Sequence, residues 1–327
     1  MTSCLSKLLP YLTSLGISPR KALSQNFLID PNIVEKVVEA AQIEPGDRVL
    51  EIGPGPGALT EVLLARGAQV IAVEYDPALA RGLSRLQTDD RRLEIYLDDI
   101  LRFPLEEKLP KEKVKPLIAP YRLEGIDSER PSGGHPSSPR FKNLGKEGCA
   151  PSDHPLPPPQ DDRSQSGVKV VASLPYHISS PIMARLAPLY DRISQITVIV
   201  QREVALRYAA EAGTSDYSSI SVFLKLFSEP RYLFTIPKGC FYPAPKVESA
   251  AIQFTLKRPP IEPWEPFVAF VRRAFNQKRK MLRASLKEEY PQIREALKAI
   301  GKPDTTRPQE LSLEGYLALF SALLKQG

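Results

Sequence analysis

The sequence predicts an α/β fold: a mostly parallel sheet with an antiparallel end, followed by a small all-helical domain. Three patterns point there. Short β-branched apolar runs alternate with helical spacing from Asp47 onward, two further β-rich stretches come late, and helical spacing fills residues 264–325. Arg48-Val-Leu-Glu-Ile52 reads as the first strand, and residues 58–66 as a helix closed by Gly67. Residues 69–74 form a second strand, 77–86 a helix with proline in its first turn, and 93–97 a third strand. Residues 168–173 make a fourth strand, with a helix starting near Ile178. Residues 195–200 make a fifth, which runs into a helix through Arg207. Residues 232–236 and 247–256 supply the antiparallel end. Lys257-Arg-Pro-Pro260 then separates residues 1–258 from a helical domain, 259–327, with breaks around Gly301-Lys-Pro303 and Arg307-Pro308.

Between the third and fourth strands the composition changes. Residues 110–167 are rich in proline, glycine, serine and charge, with Tyr121 and Phe141 as their aromatics. Such a stretch buries too little apolar surface to offset its ordering entropy, so it reads as a disordered insertion. The chain as a whole has 327 residues, 42% of them hydrophobic, ample for a large core plus a smaller one. A net charge of +6 is compatible with a polyanionic partner. Cys4, Cys149 and Cys240 lie far apart without a C-x-x-C spacing, which indicates neither a disulfide framework nor a zinc site. No apolar run approaches a membrane span, and Leu8-Leu9-Pro10-Tyr11-Leu12 is no signal peptide. A cytoplasmic protein is expected.

The first chemical motif is Glu51-Ile-Gly53-Pro-Gly55-Pro-Gly57, placed between a strand and a helix. Glycines there let the backbone turn tightly and approach a ligand closely. The turn alone also fits a dinucleotide site, because Gly53-x-Gly55-x-x-Ala58 satisfies G-x-G-x-x-A. Two acids favour S-adenosylmethionine: Glu51, where dinucleotide folds keep the strand apolar, and Asp99, placed to accept from an adenine amine. Glu74, about 20 residues past the glycines, suits the ribose hydroxyls of either cofactor.

The second motif, Ser173-Leu174-Pro175-Tyr176, follows the fourth strand. Ligands of open α/β sheets bind at the carboxyl ends of strands, so this loop faces the cofactor cleft. It resembles the loop of methyltransferases that modify exocyclic amines of bases. An adenine N6 lone pair is delocalised into the ring and is a poor nucleophile. Acceptors from Ser173 and the Leu174 carbonyl can hold both amine hydrogens, and Tyr176 offers a face for a flipped-out base. His177 is adjacent, but methyl transfer needs no proton donor. His135 and His154 fall in the insertion, so a histidine metal site is not expected.

Five segments now stand in a family's order and spacing: Lys21-Ala-Leu-Ser-Gln-Asn-Phe-Leu28, the glycine turn from Glu51 to Gly57, Ser173-Leu-Pro-Tyr-His-Ile-Ser179, Phe241-Tyr-Pro-Ala-Pro-Lys-Val247 and Phe275-Asn-Gln-Lys-Arg-Lys280. Over the whole chain except residues 110–167, the sequence resembles the KsgA-type ribosomal RNA adenine N6,N6-dimethyltransferases, relatives of the Erm resistance enzymes. The resemblance implies a Rossmann-like S-adenosylmethionine-dependent methyltransferase domain carrying an RNA-binding helical domain. It implies dimethylation of two adjacent adenosines near the 3′ end of small-subunit (16S) ribosomal RNA, on an immature subunit. Nothing in the sequence requires more than a monomer. Carried over, Gln25, Asn26 and Leu28 would close over the cofactor. Gly53, Glu74 and Asp99 would hold its methionine, ribose and adenine portions. Phe241 would stack on the target base opposite Tyr176. Arg272, Arg273, Lys278, Arg279, Lys280 and Arg283 would grip RNA phosphates, which fits six basic side chains and no acid over residues 272–283. Two departures stand out. Ser173 occupies the position of the family's asparagine, which puts its reach to the amine or the cofactor in question, and the insertion is longer than the family needs.

Overall fold

The computed structural model describes residues 5–17, 25–111 and 167–324. The disorder expected of the insertion therefore falls outside the described residues, apart from the insertion's two feet. An N-terminal helix α1 (Leu5–Ser14) and a two-residue strand β1 (Phe27–Leu28) precede α2 (Pro31–Ala40). Asp30 caps α2 by accepting from Asn32 N at 2.9 Å, and Pro31 begins its first turn. The alternating part follows as β2 (Arg48–Ile52), α3 (Ala58–Ala65), β3 (Gln69–Glu74), α4 (Pro77–Leu83), β4 (Leu93–Leu97) and the short α5 (Leu105–Lys108). After the insertion come β5 (Val168–Ser173), α6 (Ser179–Leu186), β6 (Ile193–Gln201), α7 (Arg202–Ala209), α8 (Ser219–Phe227), β7 (Ser228–Ile236), β8 (Phe241–Tyr242) and β9 (Ser249–Leu256).

Seven strands form one sheet in the order β4-β3-β2-β5-β6-β9-β7. Strands β2 to β6 run parallel, and β9 is reversed between β6 and β7, which is the antiparallel end the sequence predicts. Alternation along each strand feeds two cores. In β5, Val170 and Ala172 enter the core on one face and Val171 the core on the other; in β6, Ile196 and Val198 oppose Ile199.

The helical segment consists of α9 (Glu265–Phe275), α10 (Leu282–Ser285), α11 (Tyr290–Ala299) and α12 (Leu313–Leu324). Its core is continuous with that of the sheet: Trp264 meets Phe227 of α8 edge-on at 5.1 Å, and Phe267 packs on Phe320. The expectation of helix through residues 264–299 needs correcting. Turns also interrupt the segment at 276–281 and 286–289. Residues 276–280 carry no apolar side chain, so a helix there would have nothing to bury. Helices α1, α2 and α8 and the small β1–β8 sheet are additions that the sequence reading did not foresee.

Candidate active site

The chain leaves β2 outward to β3 and β4, then returns to β5 on β2's other side, so the strand order reverses between β2 and β5. A crevice opens there past the carboxyl ends of the strands. It encloses about 310 Å³ and brings together Gln25, Asn26, Gly53, Gly55, Glu74, Asp99 and the loop from Ser173 to Tyr176. The two motifs thus meet in one cleft.

Gly53 and Gly55 adopt φ of +63° and +57°, a region where a side chain is strained. A Cβ on Gly53 would project into open space, and one on Gly55 would approach the Phe27 ring to 3.1 Å. The backbone is therefore bare towards the cleft. Glu74, at the end of β3, accepts from Gly55 N at 2.9 Å and from Asp76 N at 2.8 Å. Burial pushes its pKa up, and these two N–H groups work against that shift. Each carboxylate oxygen keeps a further lone pair for a ligand. After β4, Asp98 and Asp99 both line the cleft, with Asp99 Oδ1 accepting from Leu101 N at 2.9 Å. Tyr75 and Leu101 flank it, 62% and 36% exposed.

Not every expected cofactor residue reaches the cleft. Glu51 lies behind the turn, 1% exposed, with Oε2 accepting from Thr60 Oγ1 at 2.7 Å and Oε1 without a hydrogen-bond partner among the described residues. Burial pushes its pKa up to about 8, and the nearby Glu74 charge adds to the shift. Gly57, at φ +91°, is the N-cap just before α3 and does not line the cleft either. Leu28 and Phe241 form a cross-strand pair between β1 and β8, and both are buried in the core beside α2. The side chains of Leu28, expected to close over the cofactor, and of Phe241, expected to stack on the base, thus do not line the cleft. Alternation along a strand turns the two side chains inward and leaves Phe27 on the cleft wall.

At the end of β5, Leu174 N donates to Ile199 O of β6 at 3.0 Å, which fixes the loop against the sheet. Ser173 Oγ has no hydrogen-bond partner among the described residues. The Tyr176 hydroxyl pairs with Ser249 Oγ at 2.6 Å, and burial raises its pKa. Ser249 is fully buried at the start of β9, and the sequence reading missed it because 73 positions separate it from Tyr176.

The basic cluster spans α9, a turn and α10. Arg272 and Arg273 are on α9, Lys278, Arg279 and Lys280 lie in the turn, and Arg283 is on α10. Arg273 pairs with Glu289 at 2.5 Å and Lys278 donates to Ser215 O at 2.6 Å. Arg272, Arg279, Lys280 and Arg283 are exposed, and have no ion-pair partner among the described residues. Among those residues, no group of His, Cys, Asp and Glu could hold a metal ion, and no helix is long and apolar enough to cross a membrane.

A parallel sheet with an acid-flanked glycine turn and an S-L-P-Y loop in one cleft defines an S-adenosylmethionine-dependent methyltransferase. The family model for ribosomal RNA adenine dimethylase matches residues 16–324, and the chain belongs to that family. It is 43% identical over 321 residues to the ribosomal RNA small subunit methyltransferase A of Protochlamydia amoebophila, covering 97% of this chain and 96% of that one. It is 35% identical to the protein of the same name from Chlamydia muridarum, covering 98% of each. In fold it is similar to a dimethyladenosine transferase from Plasmodium falciparum, with TM-score 0.63 and 21% identity over 91% of this chain and 98% of that one. The 23S rRNA methyltransferase ErmE also shares the fold, with TM-score 0.59 and 23% identity over 91% of this chain and 99% of that one.

Proposed function

We propose that this chain transfers methyl groups from S-adenosylmethionine to the N6 amines of two adjacent adenosines near the 3′ end of small-subunit (16S) ribosomal RNA. The transfer takes place on an immature subunit, in the cytoplasm, with the chain acting as a monomer. The observation that carries this reading is the convergence of Ser173-Leu-Pro-Tyr176 with the glycine turn in one cleft, in a chain of the ribosomal RNA adenine dimethylase family.

The cleft suits the cofactor. The bare backbone at Gly53 and Gly55, with Gln25 and Asn26 across from it, would hold the methionine portion. Glu74 would take the ribose hydroxyls on its remaining lone pairs. Asp99 would accept from the adenine amine between the exposed faces of Tyr75 and Leu101. When bound, S-adenosylmethionine supplies a methyl group already activated on a sulfonium. The chain's own residues do the rest. Ser173 Oγ and the Leu174 carbonyl accept the amine hydrogens and keep the nitrogen's lone pair turned towards the methyl group. Pro175 stiffens the loop, and Tyr176, held by Ser249, stacks on the flipped base. Alignment in line with the methyl group removes most of the entropic part of the barrier. Residues 259–327 form the RNA-binding part, where Arg272, Arg273, Lys278, Arg279, Lys280 and Arg283 contact phosphates and position the RNA without reading its sequence.

The test is to incubate the protein with labelled S-adenosylmethionine and immature small or large subunits, then map the modified adenines. Label on paired adenines of small-subunit RNA is expected. Label confined to large-subunit RNA, or binding without label, would overturn the reading.

A further inference from the structure

The N-terminal helix is built into the back wall of the cofactor cleft, and one guanidinium joins them. Arg85, in the turn after α4, donates to four acceptors from four places. Nη1 reaches Tyr11 Oη at 2.5 Å and Gly82 O at 3.0 Å, while Nη2 reaches Pro56 O at 2.8 Å and Glu61 Oε1 at 2.9 Å. Pro56 lies inside the glycine turn, Glu61 is on α3, Gly82 is on α4 and Tyr11 is on α1. The guanidinium also lies 4.2 Å from the centre of the Tyr11 ring. Helix α1 comes this close because α4 carries glycine at position 82. A Cβ there would sit 2.3 Å from Tyr11 Oη and 2.7 Å from Leu15 Cδ1. Below this contact, Leu8 and Leu12 of α1 are buried in a small core with Phe27 and Leu79, and those two residues form part of the cleft wall.

We infer that Arg85 and Tyr11 are positioning residues for the cofactor: Tyr11 locks the guanidinium, and the guanidinium holds the Pro56 carbonyl and so the shape of the bare turn at Gly53 and Gly55. Neither residue lines the cleft. Their effect is on its geometry. Lysine cannot replace arginine here, because one ammonium cannot span four acceptors in the planar fork that the guanidinium supplies. The inference rests on the cofactor placement proposed above.

The experiment is calorimetric titration of S-adenosylhomocysteine into the full chain and into Arg85→Ala, Arg85→Lys, Tyr11→Ala and Gly82→Ala, with thermal melts and a KM for RNA beside each. Arg85→Ala and Arg85→Lys are expected to weaken binding at least tenfold. Tyr11→Ala and Gly82→Ala, which free the guanidinium without removing it, should weaken binding three- to fivefold. KM for RNA should stay within twofold throughout. A merely structural role would lower the melting temperature and leave the affinity of the folded protein unchanged. Folded Arg85→Ala that binds within twofold of wild type would overturn the inference. Should that variant give no cooperative melt, Tyr11→Ala and Gly82→Ala decide, and unchanged affinity in both is equally fatal. Wild-type protein that melts cooperatively yet binds no S-adenosylhomocysteine would instead overturn the cofactor placement itself.

Discussion

Glu51 should make this protein less stable as the pH rises, and Glu51→Gln should abolish that part of the dependence. The carboxyl is fully buried, with one oxygen held by Thr60 and the other without a hydrogen-bond partner among the described residues. In the unfolded chain it gives up its proton near its ordinary value of 4.5, whereas in the fold it keeps the proton until about pH 8. Between those values the folded state binds more protons than the unfolded state, so stability falls as pH rises through that window. Each pH unit costs about 1.4 kcal/mol, which gives roughly 3 kcal/mol at pH 7 and about 5 above pH 8. An amide is neutral throughout, and its oxygen can still accept from Thr60. Urea unfolding of both proteins at pH 5, 7 and 9, followed by circular dichroism, isolates the effect, because the other titrating groups are common to both. The advantage of Glu51→Gln over wild type should grow by roughly 4 kcal/mol from pH 5 to pH 9. A difference constant to within about 1 kcal/mol would show that the Glu51 pKa is not raised, and the reasoning from burial would fail.

Four further outcomes are expected. Ser173→Asn installs the asparagine that the family resemblance implies at this position and should leave methylation unchanged or faster in a single-turnover assay; a collapse would show that position 173 does not hold the amine. Ser249→Ala removes the 2.6 Å bond to Tyr176 and should lower kcat about fivefold, as losing a hydrogen bond of about 1 kcal/mol implies, without changing KM for S-adenosylmethionine. Replacing residues 112–166 with a short glycine–serine linker should leave S-adenosylhomocysteine affinity intact, since Lys111 on one side of it and Val168 on the other reach the neighbouring residues Asp191 and Arg192. Arg279→Ala with Lys280→Ala should weaken RNA binding and flatten its salt dependence by roughly 1 to 2 in log–log slope. An unchanged slope would take both residues off the RNA path.

The sheet was legible because each buried strand is a short β-branched run and each crossover shows helical spacing. Val168–Ser173 and Gln69–Glu74 are strands at the predicted positions. The cleft was legible in outline, since its glycine turn and S-L-P-Y loop are local sequences at strand ends. Sequence spacing does not say which way a side chain points. Glu51 and Phe241 are motif residues, yet one is sealed behind the turn and the other is paired with Leu28 in the core. Contacts across long stretches of chain were equally hidden. Ser249 meets Tyr176, and Arg85 meets Tyr11, through packing that no local pattern records. The basic cluster was read correctly in charge and wrongly in shape, because helical propensity says little about a run of like charges with nothing to bury.

The two feet of the insertion lie side by side. Arg192 donates to the Leu109 carbonyl and Lys111 pairs with Asp191 at 3.8 Å, while Ser194 Oγ donates to Gly167 O at 3.2 Å and Val168 N to Arg192 O at 2.9 Å. All of this lies where β5 and β6 begin, whereas Ser173 stands where β5 ends, about 20 Å further along a six-residue strand. The chain thus has a service side and a working side. Cargo spliced between Lys111 and Gly167, such as a fluorophore, an affinity handle or a second protein, would enter and leave at one doorstep on the rim opposite the methyl-transfer cleft. The enzyme could then be tracked or retrieved on its substrate particle while the working side stays clear.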